Sequence, residues 1–219
     1  DHQDHNCHTD QYSDTAVAVA HINILPHLID ENRNSAIPGI TFDDEMQLHL
    51  GGVTLNLMFL GPTHSDNLIQ VHIPEERVLI AIDSAKGKNL FPDFRDMDVN
   101  NQLKAMRTLA NLEDVDVVLP GHGPVTTQTA FLEYYEYVRT LKDTILQHMR
   151  DGRSLQETKS MTEALMRETF HDYNGIDRLI EYNIVTMWDY LYRYREPNVS
   201  IKHFEATEWI QDSRECRTN

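Results

Sequence analysis

Asp1-His2-Gln3-Asp4-His5 places two imidazoles and two carboxylates within five residues, at the head of a 219-residue chain. Zinc prefers imidazole nitrogen and carboxylate oxygen, and a catalytic zinc keeps one position open for water. Alone, this run is a weak signal, because a solvated histidine-rich start or a purification-tag remnant looks the same. Three later residues change its weight. His64, Asp83 and His122 each stand where an expected strand runs into a loop. Two metal ions about 3.5–4 Å apart need some six protein donors, and donors at strand ends converge when one rim of a sheet holds the site. His2, Asp4, His5, His64, Asp83 and His122 are therefore the candidate metal ligands.

The elements that would carry these residues follow from hydrophobic period. Residues 16–20 (AVAVA) suit a short buried strand with His21 at its end. Residues 22–38 are expected to be irregular, with a turn of helix near 25–29, because Pro26 and Pro38 break them. Met46, Leu48 and Leu50 alternate with Gln47 and His49, the period-2 pattern of a half-buried strand. Gly51-Gly52 signals a two-residue hairpin into residues 53–59. Residues 68–73 and 78–82 form a second hairpin across 74–77, with Asp83 ending the returning strand. Helical spacing covers 101–112, and another apolar strand at 115–119 leads into Pro120-Gly121-His122-Gly123-Pro124. From 126 on, the pattern is helical: one helix ends near Gly152, Ser154 caps the next, and a third runs through Ile176, Ile180, Ile184, Met187 and Leu191 until Pro197. The expected organisation is an α/β unit over 1–125 and a helical annex over 126–219.

Composition narrows the function. Nineteen Lys and Arg against 35 Asp and Glu give a formal charge of -16, which excludes a phosphate-backbone binder. No stretch reaches the ~20 apolar residues of a membrane span. The expected partner is a small-molecule substrate, with no nucleic acid and no membrane. Cys7 and Cys216 read as unpaired thiols. Of twelve histidines, His8, His72, His148, His171 and His203 read as solvated and His21 as structural. The chain opens without Met on a polar run and reads as a segment whose N-terminus lies upstream. Oligomeric state and compartment are open.

The order and spacing of these motifs resemble the metallo-β-lactamase-fold hydrolases. That family's signature is His-x-His-x-Asp-His, then a distant His, a bridging Asp at a strand end, and a His in a closing loop. His2, Asp4 and His5 match the signature without its first residue, which would precede Asp1. Gly61-Pro62-Thr63-His64-Ser65-Asp66-Asn67, Ile80-Ala81-Ile82-Asp83 and Leu119-Pro120-Gly121-His122-Gly123-Pro124 resemble the later segments. The resemblance implies an αββα sandwich lacking its N-terminal strands, with a C-terminal helical annex. It implies a first zinc on His2, His64 and the absent histidine, and a second on Asp4, His5 and His122, bridged by Asp83. The first ion is expected to bind poorly without the missing ligand. The implied activity is hydrolysis of an ester, thioester, lactone or amide by a hydroxide between the metals, with Asp4 orienting water and moving a proton. Lys86, with Asn89 beside it, resembles the carboxylate binder of the lactamase branch, although a solvated loop reads the same. The rivals are a β-lactamase, a di-iron oxidoreductase of the same fold, and a non-catalytic scaffold. Helices after the last histidine often set specificity in this family. Trp188, Tyr190, Tyr192 and Tyr194 would then wall a pocket or pack in a core.

Overall fold

The computed structural model describes residues 2–194. The protein is mixed α/β and divides into two compact units. The first comprises Asp1–Leu90, Asp96–Arg139 and Asp172–Asn174, and the second Phe91–Arg95, Thr140–His171 and Gly175–Asn219.

The first unit is built on a five-stranded sheet in chain order: β3 (Glu45–Leu50), β4 (Val53–Phe59), β5 (Ile69–Ile73), β6 (Val78–Ala81) and β7 (Val117–Pro120). The β3–β4 turn follows from its glycines. Gly51 and Gly52 take φ of 62° and 86°, the left-handed pair that a two-residue hairpin needs, and Leu50 pairs with Val53. β5 and β6 are also antiparallel, whereas β6 and β7 run parallel, with Val78 opposite Val117. That reversal requires a crossover, which α3 (Val99–Ala110) supplies. Asp98 caps α3 by accepting from the Asn101 N–H, and Ala105, Met106 and Leu109 turn inward. Leu79, Ala81, Val118 and Phe131 are fully buried in the core of this unit.

A separate pair, β1 (Val19–His21) and β2 (Ile40–Phe42), runs parallel, and α2 (Ile24–Asp30) lies between them in sequence. β2 is a strand that periodicity did not reveal, because three residues carry no measurable period. Its pairing also shifts β1 toward His21, and residues 16–18 precede the strand. His21 is buried and stacks on Phe59, ring centroids 3.8 Å apart. His72 is not solvated as expected. β5 alternates, and it is Gln70 and His72 that face inward, where the His72 ring bonds the Asp114 carbonyl at 3.0 Å. A polar inward face defeats a rule that equates buried with apolar.

In the second unit the C-terminal half of α4 (Thr129–Arg150) joins α5 (Leu155–Thr169) and α6 (Ile176–Tyr194). Phe94, Leu141, Ile145, Met166, Ile180, Ile184, Met187 and Leu191 are fully buried in its core. Ser154 and Glu157 form a reciprocal capping box at the start of α5. Ser154→Ala should cost about 1 kcal/mol, a fall of roughly 2–4 °C in Tm, readable by calorimetry. Buried Asn183 donates through Nδ2 to the carbonyls of Phe91 and Pro92, both at 2.9 Å. Asn183→Ala strands two carbonyls, so a larger loss of about 2–4 kcal/mol is expected in chemical denaturation.

The aromatic residues near the end of α6 do not form one stripe. Tyr190 is 4% exposed and Tyr192 is 71% exposed, because residues two apart on a helix point to different sides. The expected stop at Pro197 and the residues Cys216 and His203 lie outside the described residues, and so does the Tyr194 side chain. Cys7 is a free thiol. No helix among the described residues is long and apolar enough to cross a membrane.

Candidate metal centre

All six candidate ligands belong to the first unit. α1 (Gln3–Asn6) is a single helical turn that puts His2 at its cap and Asp4 and His5 inside it. His64 lies in the loop after β4. That loop is fixed by three bonds: Thr63 N–H to the Ser65 carbonyl, Asp98 N–H to the Thr63 carbonyl, and Asn23 Nδ2 to the Asp66 carbonyl. Asp83 follows β6 with φ of 52°, a left-handed position that Asp tolerates better than most residues. His122 follows β7.

Gly121 is required by close approach rather than by its φ. A Cβ there would stand 2.8 Å from both His5 Cε1 and Ile82 Cγ2. The closing loop can therefore come down on the His5 ring only because this residue has no side chain.

The donors fall into two groups, His2 with His64 and Asp83, and Asp4 with His5 and His122. Within each group the ligand atoms lie within 4.8 Å of one another. The His2 and His64 rings meet edge to face at 4.8 Å, and the His5 and His122 rings at 4.9 Å. Asp83 stands between the groups. Its Oδ2 is 2.9 Å from His5 Nε2 and 3.5 Å from His64 Nε2, and its Oδ1 is 3.7 Å from His122 Nε2. Asp4 Oδ2 lies 3.3 Å from His122 Nε2 and 3.6 Å from His5 Nε2. Asp83 is buried at 3% exposure, while Asp4 and His122 are more than half exposed. The centre thus has a sealed side and an open side.

These residues fit divalent cations. Buried carboxylate oxygens normally have partners, yet Asp83 Oδ1 accepts no hydrogen bond among the described residues. Burial pushes the His64 imidazole down to about 4, against the opposing pull of Asp83. The ring is therefore neutral near pH 7, the form that donates a lone pair. Lys86 is buried with its ammonium 3.7 Å from Asp83 Oδ1. Burial lowers its pKa and the aspartate opposes that shift. Asn89 braces the loop instead of facing the donors. Its Nδ2 bonds the Lys86 carbonyl and its Oδ1 accepts from Asn174.

A cavity of about 970 Å³ opens beside the centre. His2 and Asp4, one from each donor group, are on its wall, and so are His27, Ser65, Asp66 and Asn67. His27 Nε2 bonds Asp66 Oδ1 at 2.8 Å. Sequence reading missed His27, because nothing in the spacing ties residue 27 to residue 66. Lys86 and Asn89 are not on the wall.

A family model described as the Metallo-beta-lactamase superfamily matches residues 8–122. It begins after His5 and ends on His122, so His64, Asp83 and His122 fall inside the match. Similar solved structures include a metallo-beta-lactamase from Pontibacter korlensis, 21% identical with a TM-score of 0.52 over 59% of this chain and 60% of that one. The sec-alkylsulfatase Pisa1 from Pseudomonas sp. is 13% identical with a TM-score of 0.55, over 71% of this chain and 27% of that one. VMB-1 is 19% identical with a TM-score of 0.51, over 60% of this chain and 61% of that one. The chain thus spans about three-fifths of the Pontibacter korlensis and VMB-1 structures and about a quarter of the alkylsulfatase. At these identities the likeness is one of fold. No curated protein matches the chain significantly.

Proposed function

Because the chain belongs to the metallo-beta-lactamase superfamily, most of whose members are hydrolases, we propose that it is a dinuclear zinc-dependent hydrolase of an ester, thioester, lactone or amide. The observation that carries this reading is the convergence of six donors into two adjacent groups around one buried carboxylate. His2, His64 and Asp83 would hold one ion and Asp4, His5 and His122 the other, with Asp83 facing both. Zinc at these positions supplies Lewis acidity and brings the pKa of water to about 7.

The chain's own groups do the rest. Asp4 is the more exposed carboxylate, on the wall of the cavity, and it is the one placed to orient water and to hold a proton in transit. Asp83 is buried and serves as a fixed negative charge that keeps the two imidazole groups at one locus. Lys86, beside Asp83, offsets that charge within the sealed side.

The test is turnover. Zinc-loaded protein should hydrolyse 4-nitrophenyl esters, lose the activity to a chelator and regain it with zinc. Absence of turnover of ester, thioester, lactone and amide substrates alike, in protein that holds its zinc, would contradict the proposal. The second reading, β-lactam hydrolysis, is favoured by Lys86 standing at the centre, and turnover of a chromogenic cephalosporin separates it. Iron in place of zinc in protein purified without added metal would favour a redox role instead.

A further inference from the structure

The two polar residues on the inward face of β5 are bonded to different places. His72 reaches the Asp114 carbonyl, ahead of β7. Gln70 is 2% exposed, and its Nε2 donates to Ser84 Oγ at 3.0 Å. Ser84 is 1% exposed and directly follows Asp83. Gln70 Oε1 has no hydrogen-bond partner among the described residues. An amide oxygen buried unpaired costs free energy, whereas apolar groups in place of both bonded partners would be nearly neutral or stabilising. Fold stability alone therefore gives no account of this pair.

The turn that Ser84 belongs to gives one. Asp83 has φ of 52°, and a residue other than glycine stays there only when its surroundings over-determine it. Ser84 N–H reaches the Ile82 carbonyl at 2.7 Å and the Ala81 carbonyl at 3.3 Å, and Ala85 N–H reaches the Ala81 carbonyl at 3.3 Å. Those bonds close the turn on the end of its own strand. The Gln70–Ser84 bond instead ties the turn to β5, the neighbouring strand. The tie matters because the Asp83 carboxylate faces both donor groups, with Oδ2 2.9 Å from His5 Nε2 and 3.5 Å from His64 Nε2. A backbone rotation at residue 83 would swing the carboxylate relative to both groups at once.

We propose that Gln70 is a positioning residue of the metal centre: through Ser84 it fixes the turn that aims the Asp83 carboxylate. The assignment rests on Asp83 being a shared ligand, and so on the two-ion reading above.

The experiment loads the full chain with zinc, or with cobalt(II), whose visible absorption reports the geometry of its ligands. Gln70→Leu and the double variant Gln70→Leu/Ser84→Ala are compared with wild type. The melting temperature of the metal-free double variant should not fall, because both partners of the bond are gone. Zinc affinity should drop about tenfold, the lower end for a group acting behind a metal ligand, and the cobalt bands should shift. The double variant should lose no more affinity than Gln70→Leu alone, because both substitutions break the same bond. Asn174→Ala is the control. Asn174 Nδ2 bonds Asn89 Oδ1 farther along the same loop, so this variant should melt lower and keep its cobalt bands.

Wild-type bands and zinc affinity in the double variant would overturn the proposal. A band shift accompanied by a lower melting temperature would assign the pair to stability and overturn it too. So would an equal shift in Asn174→Ala, which would mean general loosening of the loop. Wild-type protein that takes up neither metal would sink the two-ion reading and this one together, whereas a loaded wild type with indifferent variants sinks this one alone.

Discussion

Asp83→Asn is expected to strip the centre of metal while leaving the fold in place. The substitution keeps the shape of the side chain, and Asn is at home at the left-handed φ of 52° found there. What it removes is the carboxylate that faces both donor groups, within 2.9–3.7 Å of His5, His64 and His122. Mutating an outer partner of a metal ligand typically lowers affinity by roughly 10–100-fold, and loss of a shared ligand should exceed that. Elemental analysis of the purified variant should find less than about a tenth of the wild-type zinc, the loss such a drop in affinity implies. Ester hydrolysis should fall in step, while circular dichroism should be unchanged. If Asn at this position retained full zinc, Asp83 would be a structural turn residue and no ligand.

Gly121→Ala should damage the centre from a residue that carries no donor. The backbone there is not in the left-handed region, so alanine meets no conformational penalty. The added methyl would stand 2.8 Å from His5 Cε1 and from Ile82 Cγ2. Ile82 is branched at Cβ and follows β6 directly, so the His5 ring or the closing loop is expected to give. A misplacement of about 1 Å at a catalytic group can cost about 100-fold in rate, and a drop of that order in kcat/KM is expected, with weaker zinc binding. Gly123→Ala is the control. Gly123 has φ of 99° and nothing within 4 Å of a built Cβ. That variant should lose stability through backbone strain and yet affect the centre less than Gly121→Ala. Equal activity losses in the two variants would show that loop strain, and not contact with His5, is responsible.

The positions of the six donors could be read from sequence because each follows a segment whose period is unambiguous or stands in the dense opening run. β3 and β4 alternate around a glycine pair, β5 and β6 around Pro74 to Arg77, and β7 is a short apolar run into a rigid loop. Strand ends so defined leave a histidine or aspartate few places to go. The remainder depended on tertiary pairing. β2 has three residues and is recognisable only through its partner β1. His72 faces inward because register, not polarity, decides which face of β5 is buried. The cavity wall combines α2, the loop before α3 and the segment after His64, and no local pattern links them.

Calorimetric titration of zinc into metal-free protein, with elemental analysis of the product, tests the two-ion centre most directly. Two ions per chain with unequal affinities are expected, both sensitive to Asp83→Asn and each lost separately with His2→Ala or His5→Ala. Binding of no zinc, or stoichiometry indifferent to these three substitutions, would contradict it.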